Sequence, residues 1–137
     1  MSEDCIFCLI AERRSPAQFV DEDECTLAFM DINPWRRGHA LVIPRRHARD
    51  LFEIEPEDLA MVFATAKRLA ATIRERLGSD RVTLWNSNGS AAGQVVMHFH
   101  VHVIPGDSDD PRVPQSPKAP ARLQEIEAAA AQLGGEA

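Results

Sequence analysis

Apolar and polar positions follow two different periods along this chain. Between Pro56 and Leu77, apolar side chains fall at Leu59, Val62, Phe63, Ala66, Leu69, Ala70, Ile73 and Leu77. That spacing is the 3.6-residue period of an amphipathic helix with one face on a core. Pro56 stands where a first helical residue tolerates a missing amide, and Gly78 stands where a helix end favours glycine. The remaining apolar runs are shorter. Phe19-Val20 and Thr26–Asp31 flank an acidic turn and predict a hairpin. Asn33-Pro34 signals a turn, and Gly38–Ile43 predicts a strand stopped by Pro44. Arg81–Asn86 and Val95–Ile104 predict two further strands, joined by the small polar loop Ser87–Gly93 and ended by Pro105.

The ends of the chain read as helices. Ser2-Glu3-Asp4 is a helix start, with a short helix through Cys5–Arg13 broken by Pro16. Leu123, Ile126, Ala130 and Leu133 share one face of a terminal helix within residues 121–134. Residues 106–120, rich in proline and aspartate, predict an irregular connection. Antiparallel strands, one long helix, more strands and a terminal helix make an α+β domain.

Length and charge narrow the class. The chain has 137 residues, enough for a single domain over 1–137 and too few for two. Hydrophobic residues are 45% and charged residues 26%, the balance of a globular protein. The net charge of −6 argues against a nucleic-acid polymer as partner, though not against one small anion in a local pocket. No apolar run approaches the ~18 residues of a membrane span, and the first residues do not have the layout of a signal peptide. Three cysteines are an odd number for a disulfide framework, so a reduced, cytoplasmic setting is expected.

The densest chemistry lies in His98-Phe99-His100-Val101-His102-Val103-Ile104. Side chains alternate across a strand, so the three histidines share one face while Phe99, Val101 and Val103 share the other. Three imidazoles on one face suit packing poorly, because each carries two nitrogens that need partners when buried. A metal site or a histidine nucleophile would use them. Just upstream, Gly89–Gln94 is small enough for its backbone to approach a ligand closely and cradle a phosphate. Cys5-x-x-Cys8 has the spacing of half a tetrahedral zinc site, and also that of two core thiols on one helix face. Trp35 and Trp85 read as packing, Cys25 as buried packing, and Arg36-Arg37 and Arg45-Arg46 as solvated loop charges.

The segment Ala92–Pro105 resembles the histidine triad (HIT) signature, three histidines alternating with apolar residues. Cys5-Ile6-Phe7-Cys8, Phe29-Met30-Asp31-Ile32 and Gly38–His47 match the family's other blocks in order, so the resemblance spans roughly residues 4–105. It implies a HIT-like fold: an antiparallel half-barrel sheet of about five strands, one long central helix, short terminal helices and a homodimer. It also implies hydrolysis or transfer at the α-phosphate of a purine nucleotide or nucleoside phosphoramidate. On that resemblance His100 is the nucleophile that forms a covalent nucleotidyl-histidine, a role neutral imidazole suits near pH 7. His102 faces the same phosphate, and His98 and His39 support the pair.

Asp31 matches a residue that binds ribose hydroxyls, while Ile32, Phe29 and Ile10 match the base pocket. Ser87, Gly93, Gln94 and Val95 fall around the phosphate. The family's structural zinc maps onto Cys5, Cys8, His47 and His98, and no organic cofactor is implied. The chain departs from many relatives at Val95, where a Ser or Thr hydroxyl assists the leaving group, and at Ser87, where an amide is common. Val95 makes a nucleotide sensor with little turnover an alternative. A dinucleoside polyphosphate hydrolase is another.

Overall fold

The computed structural model describes residues 4–106 and 122–134. In chain order the elements are helix α1 (Ile6–Ala11), strands β1 (Phe19–Glu22), β2 (Thr26–Met30) and β3 (Ala40–Pro44), helix α2 (Pro56–Leu77), strands β4 (Val82–Trp85) and β5 (Val101–Pro105), and helix α3 (Leu123–Gln132). The strands form one open antiparallel sheet in the order β1-β2-β3-β5-β4. This is the expected mixed architecture, with five strands and one long helix. Among the described residues, no helix is long and apolar enough to cross a membrane.

The middle of the sheet is covered on both faces. Every residue of β2 and β3 is buried. Ala28, Met30, Ala40 and Val42 pack with Val62, Ala66, Leu69 and Ile73 of α2 and with Ile126 and Ala130 of α3. The intervening residues Leu27, Phe29, Leu41 and Ile43 face the other way and meet Phe7, Cys8 and Ile10 of α1. Strand alternation thus feeds two cores, a large one under α2 and a small one under α1. The start and stop of α2 agree with the sequence pattern. Pro56 opens the helix, and Gly78 closes it with φ of 69°, in the left-handed region that glycine enters without strain.

Two expectations need correction. The predicted strand Val95–Ile104 is regular only over Val101–Pro105, so Ser87–Gly93 is not a hairpin loop between strands. The backbone of residues 86–100 takes other partners instead. The Phe99 amide donates to Ala48 O at 2.7 Å, and Val96 O accepts from the Gln94 side chain at 3.0 Å. Side-chain alternation nevertheless persists through the irregular part, because Phe99, Val101 and Val103 all enter the large core. The N-terminal helix is shorter than predicted and starts at Ile6, where the Cys5 thiol accepts from the Cys8 amide as a cap. Ser2 and Glu3 of the predicted helix start, and nearly all of the proline-rich connection, lie outside the described residues.

Candidate functional site

His102 of β5 and, in the irregular segment just before it, His98 and His100 carry the imidazoles, and each takes a different hydrogen-bonding assignment. His98 is fully buried. Its Nε2 lies 2.9 Å from Pro44 O, and a carbonyl only accepts, so the hydrogen sits on Nε2 and Nδ1 is left with its lone pair. That Nδ1 lies 3.3 Å from Cys5 Sγ, 3.5 Å from Cys8 Sγ and 3.3 Å from His47 Nδ1. Cys8 Sγ is 3.3 Å from His47 Nδ1. The four donor atoms lie within 4.8 Å of one another. An ion bound at about 2.3 Å to sulfur and about 2.0 Å to nitrogen places tetrahedral neighbours roughly 3.3–3.8 Å apart, so the spacing fits zinc.

The electrostatics of the cluster fit a cation as well. Burial, reinforced by the neighbouring Cys5, pushes the Cys8 thiol up to about 12, and burial lowers His98 to about 4. Without a cation Cys8 stays a thiol and His98 a neutral imidazole. A divalent ion would reverse that preference and draw out thiolates.

His100 is assigned by the same logic. Its Nδ1 lies 2.7 Å from His98 O, so Nδ1 carries the hydrogen and Nε2 keeps a lone pair. Burial holds its imidazolium below the usual histidine range. Asn86 Nδ2 donates to His100 O at 2.8 Å and fixes the backbone of this residue; Asn88 Nδ2 in turn donates to Asn86 Oδ1 at 2.6 Å. The Phe7 ring stands edge-to-face against both imidazoles, at 5.2 Å from His100 and 6.0 Å from His98.

His100 and His102 line one cavity of about 420 Å³, a volume suited to a small-molecule ligand. One part of it is apolar, walled by Ile6, Ile10, Ala17, Phe29 and Leu41, with Ile32 at the rim. The polar part holds Asp31, Asn33 and Ser15 as well as the two imidazoles. Asp31 is buried, and its Oδ1 accepts from the Asn33 amide at 2.8 Å. Behind His102 lies His39, almost fully buried, with Nε2 at 2.9 Å from His102 Nδ1 and 3.4 Å from Asp31 Oδ2. Burial lowers His102 to about 3, with His39 and His100 adding to it, and also lowers His39 despite the nearby Asp31 carboxylate.

Most residues singled out from the sequence therefore converge, but not all do so at the cavity. Asp31, Ile32, Phe29, Ile10, Gly93, Val95, His100 and His102 line it. His98 does not reach it, because both ring nitrogens are engaged in the cluster and with Pro44. Gln94 is turned inward: it accepts from the Gly89 amide at 2.7 Å and donates to Arg49 O and Val96 O, so it braces the loop instead of facing a ligand. Ser87 accepts from the Trp85 indole at 3.0 Å and is not among the lining residues. Val95 is 87% exposed at the cavity rim.

Arg45 and Arg46 are engaged elsewhere, with Glu22 and Asp58. Asn86, Phe7, Ser15 and Asn33 were not read from the sequence as site residues. Phe7 had a signal in its place between the two cysteines, whereas the role of Asn86 depends on a contact 14 residues away.

Comparison with known proteins agrees with this arrangement. A sequence profile of the HIT domain matches residues 12–109. The chain is 41% identical over 109 residues to an uncharacterized HIT-like protein of Methanocaldococcus jannaschii, covering 80% of this chain and 84% of that one. It is 37% identical over 110 residues to the adenylylsulfatase HINT3 of Arabidopsis thaliana, covering 80% of this chain and 56% of that longer protein. Among solved structures it resembles a zinc-bound histidine triad family protein from Mycobacterium smegmatis, with TM-score 0.82, 38% identity and 97% of each chain covered. By profile, sequence and fold, this chain belongs to the HIT domain family.

Proposed function

We propose that this protein is a nucleotide-binding hydrolase or transferase that acts at the α-phosphate of a nucleoside monophosphate derivative, through a nucleotide covalently held on His100. The observation that carries the proposal is the 2.7 Å contact from His100 Nδ1 to His98 O beside the cavity. It leaves Nε2 unprotonated as the nucleophilic atom. Membership of the HIT family and the adenylylsulfatase activity named for the Arabidopsis relative support the same chemistry.

In this reading the apolar wall of Ile10, Phe29 and Ile32 stacks the base, and Asp31 accepts from ribose hydroxyls. His100 Nε2 attacks phosphorus, and the bond to the leaving group breaks with the electron pair going to that group. His102 stabilises the phosphate oxygens as their charge grows. In the second step a water oxygen bonds to phosphorus and the P–N bond returns its electrons to Nε2. Throughout, the hydrogen stays on His100 Nδ1 and is donated to His98 O, which supports the positive ring of the nucleotidyl-histidine and keeps it a good leaving group.

Cys5, Cys8, His47 and His98 would hold a structural zinc, with four protein ligands and no position for water. Its chemistry is confined to tying α1, the segment after β3 and the triad strand together. The expected second copy of the chain would pair along the open edge strand β4, where Leu84 is 44% exposed.

Turnover of adenosine 5′-phosphoramidate and adenylyl sulfate, wild type beside His100→Ala, tests the reading. Release of AMP that the variant loses, with a nucleotidyl-protein adduct trapped only in the wild type, is the expected result. Wild-type protein that binds AMP and turns over neither compound would replace the hydrolase with a nucleotide sensor, the alternative that the donor-free Val95 at the rim raises.

A further inference from the structure

The proposed reaction uses Asp31, His100 and His102 and leaves one hydroxyl of the cavity wall unassigned. Ser15 lines the cavity and is half-buried. Among the described residues its side chain takes no hydrogen-bond partner. Along the chain it stands between Ile10 and Ala17, both in the apolar wall. Asn33, the other polar side chain without an assigned role, adjoins Asp31, whose Oδ1 takes the Asn33 amide at 2.8 Å, and so belongs with the ribose.

The turn that presents Ser15 is strained and clamped. Arg13, two residues earlier, has φ of 60°, the one positive φ outside glycine among the described residues. A side chain in the left-handed region is disfavoured, and local contacts offset the cost. The Arg13 amide donates to Ile10 O at 3.0 Å and the Arg14 amide to Leu9 O at 2.8 Å. The Arg13 guanidinium lies 3.6 Å from the centre of the Phe19 ring and 2.7 Å from Glu22 Oε2. Pro16 then restricts the backbone that follows. Ser15 is held before any ligand arrives, so binding requires little further ordering of it.

A purine supplies the missing partner. With the ribose on Asp31 and the phosphate at His100, the six-membered ring lies along the apolar wall. Ile6, Ile10, Ala17, Phe29 and Leu41 pack against it but offer no side-chain hydrogen bond. Ring nitrogens and exocyclic groups that lose water there need another partner. A hydroxyl both donates and accepts, so it serves the edge of adenine and that of guanine alike.

We infer that Ser15 Oγ reads the polar edge of the base. It is a specificity determinant that separates purine nucleotides from ring systems of the same shape without that edge, and it does not separate adenine from guanine. This role rests on the proposed function, which puts a nucleotide in the cavity.

Calorimetric titration of the full-length chain with AMP, GMP and benzimidazole riboside 5′-monophosphate tests it. The last ligand keeps the bicyclic shape and lacks every polar group of the six-membered ring. Wild type is expected to bind AMP and GMP about tenfold more tightly than the benzimidazole nucleotide. Ser15→Ala weakens AMP and GMP by about tenfold and leaves the benzimidazole nucleotide where it was, while Ser15→Thr, which keeps the hydroxyl, retains the preference. A residue that only shapes the wall would move all three ligands together, and that result overturns the role. Equal wild-type affinity for AMP and the benzimidazole nucleotide overturns it without any variant, and so does a Ser15→Ala loss confined to one purine. If none of the three nucleotides binds the wild type, the proposed function fails and this role with it; binding without a base preference removes the role of Ser15 alone.

Discussion

The backbone oxygen of His98 is the hydrogen-bond acceptor for the ring of His100, 2.7 Å from its Nδ1. One residue therefore serves two sites. Its side chain belongs to the thiol and imidazole cluster, and its carbonyl orients the ring of His100, the proposed nucleophile. Whatever anchors the His98 ring also steadies the acceptor that sets the His100 tautomer.

Loss of the cluster is accordingly expected to cost both stability and rate. With the proposed zinc in the cluster, Cys8→Ser should abolish its binding and destabilise the fold by on the order of 4 kcal/mol, the range seen when a metal or buried network is lost. Elemental analysis with urea unfolding checks this. A variant that keeps full stability and has no zinc would show that the cluster is ordinary thiol packing.

Substitution at Val95 separates leaving groups. The side chain is 87% exposed at the rim and carries no hydrogen to donate. Val95→Thr keeps its shape and adds a hydroxyl. The expected outcome is a rise of about tenfold or more in phosphoramidate turnover relative to adenylyl sulfate, because sulfate departs without a proton and an amine does not. Val95→Ala, which removes bulk and supplies no donor, should leave that ratio near its wild-type value. Equal ratios in all three proteins would count against proton supply as the limitation.

Acid should weaken the fold before the carboxylates titrate. Burial, with His39 and His100 adding to it, lowers His102 to about 3, while an unfolded histidine titrates near 6.5. Above pH 7 both states are neutral and pH has no effect through this group. Below about 6.5 the unfolded chain takes up a proton that the folded chain refuses, so stability falls as pH drops toward 3, by up to ~1.4 kcal/mol per pH unit for each such histidine. Urea midpoints at pH 7.5, 6.0 and 5.0 read this directly. His102→Gln should flatten the slope; a midpoint that does not move between pH 7.5 and 5.0 contradicts the assignment.

Asn86 is expected to act on rate more than on stability. Its amide donates to His100 O at 2.8 Å and is itself braced near Asn88. Asn86→Ala removes one hydrogen bond, worth about 1 kcal/mol to the fold. The looser backbone under the proposed nucleophile should lower kcat by about tenfold, since catalytic positioning is sensitive to small displacements. Thermal unfolding alongside steady-state kinetics distinguishes the two effects; a kcat equal to wild type would remove Asn86 from the positioning framework.

What the sequence made legible was set by side-chain period and residue chemistry. The limits of α2 were readable because Pro56 and Gly78 act locally, through one missing amide and one positive φ. The histidine face was readable because alternation survives even where the ladder does not, from Phe99 to Val103. The end of that ladder at Val101 was not readable, since it depends on Ala48 and Gln94 drawing the backbone of residues 94–99 away. For the same reason Gln94 looked like a ligand-facing amide until its three partners were known. Residue type announces that a group will be used; only the fold says which neighbour uses it first.

The interleaving of Phe99, Val101 and Val103 with His98, His100 and His102 leaves one segment answerable to two masters. Gaining or losing a single residue there would exchange the two faces, sending imidazoles under α2 and phenyl and isopropyl groups toward α1. Neither the chemistry nor the packing would survive the exchange. This stretch therefore tolerates change by replacement but not by length.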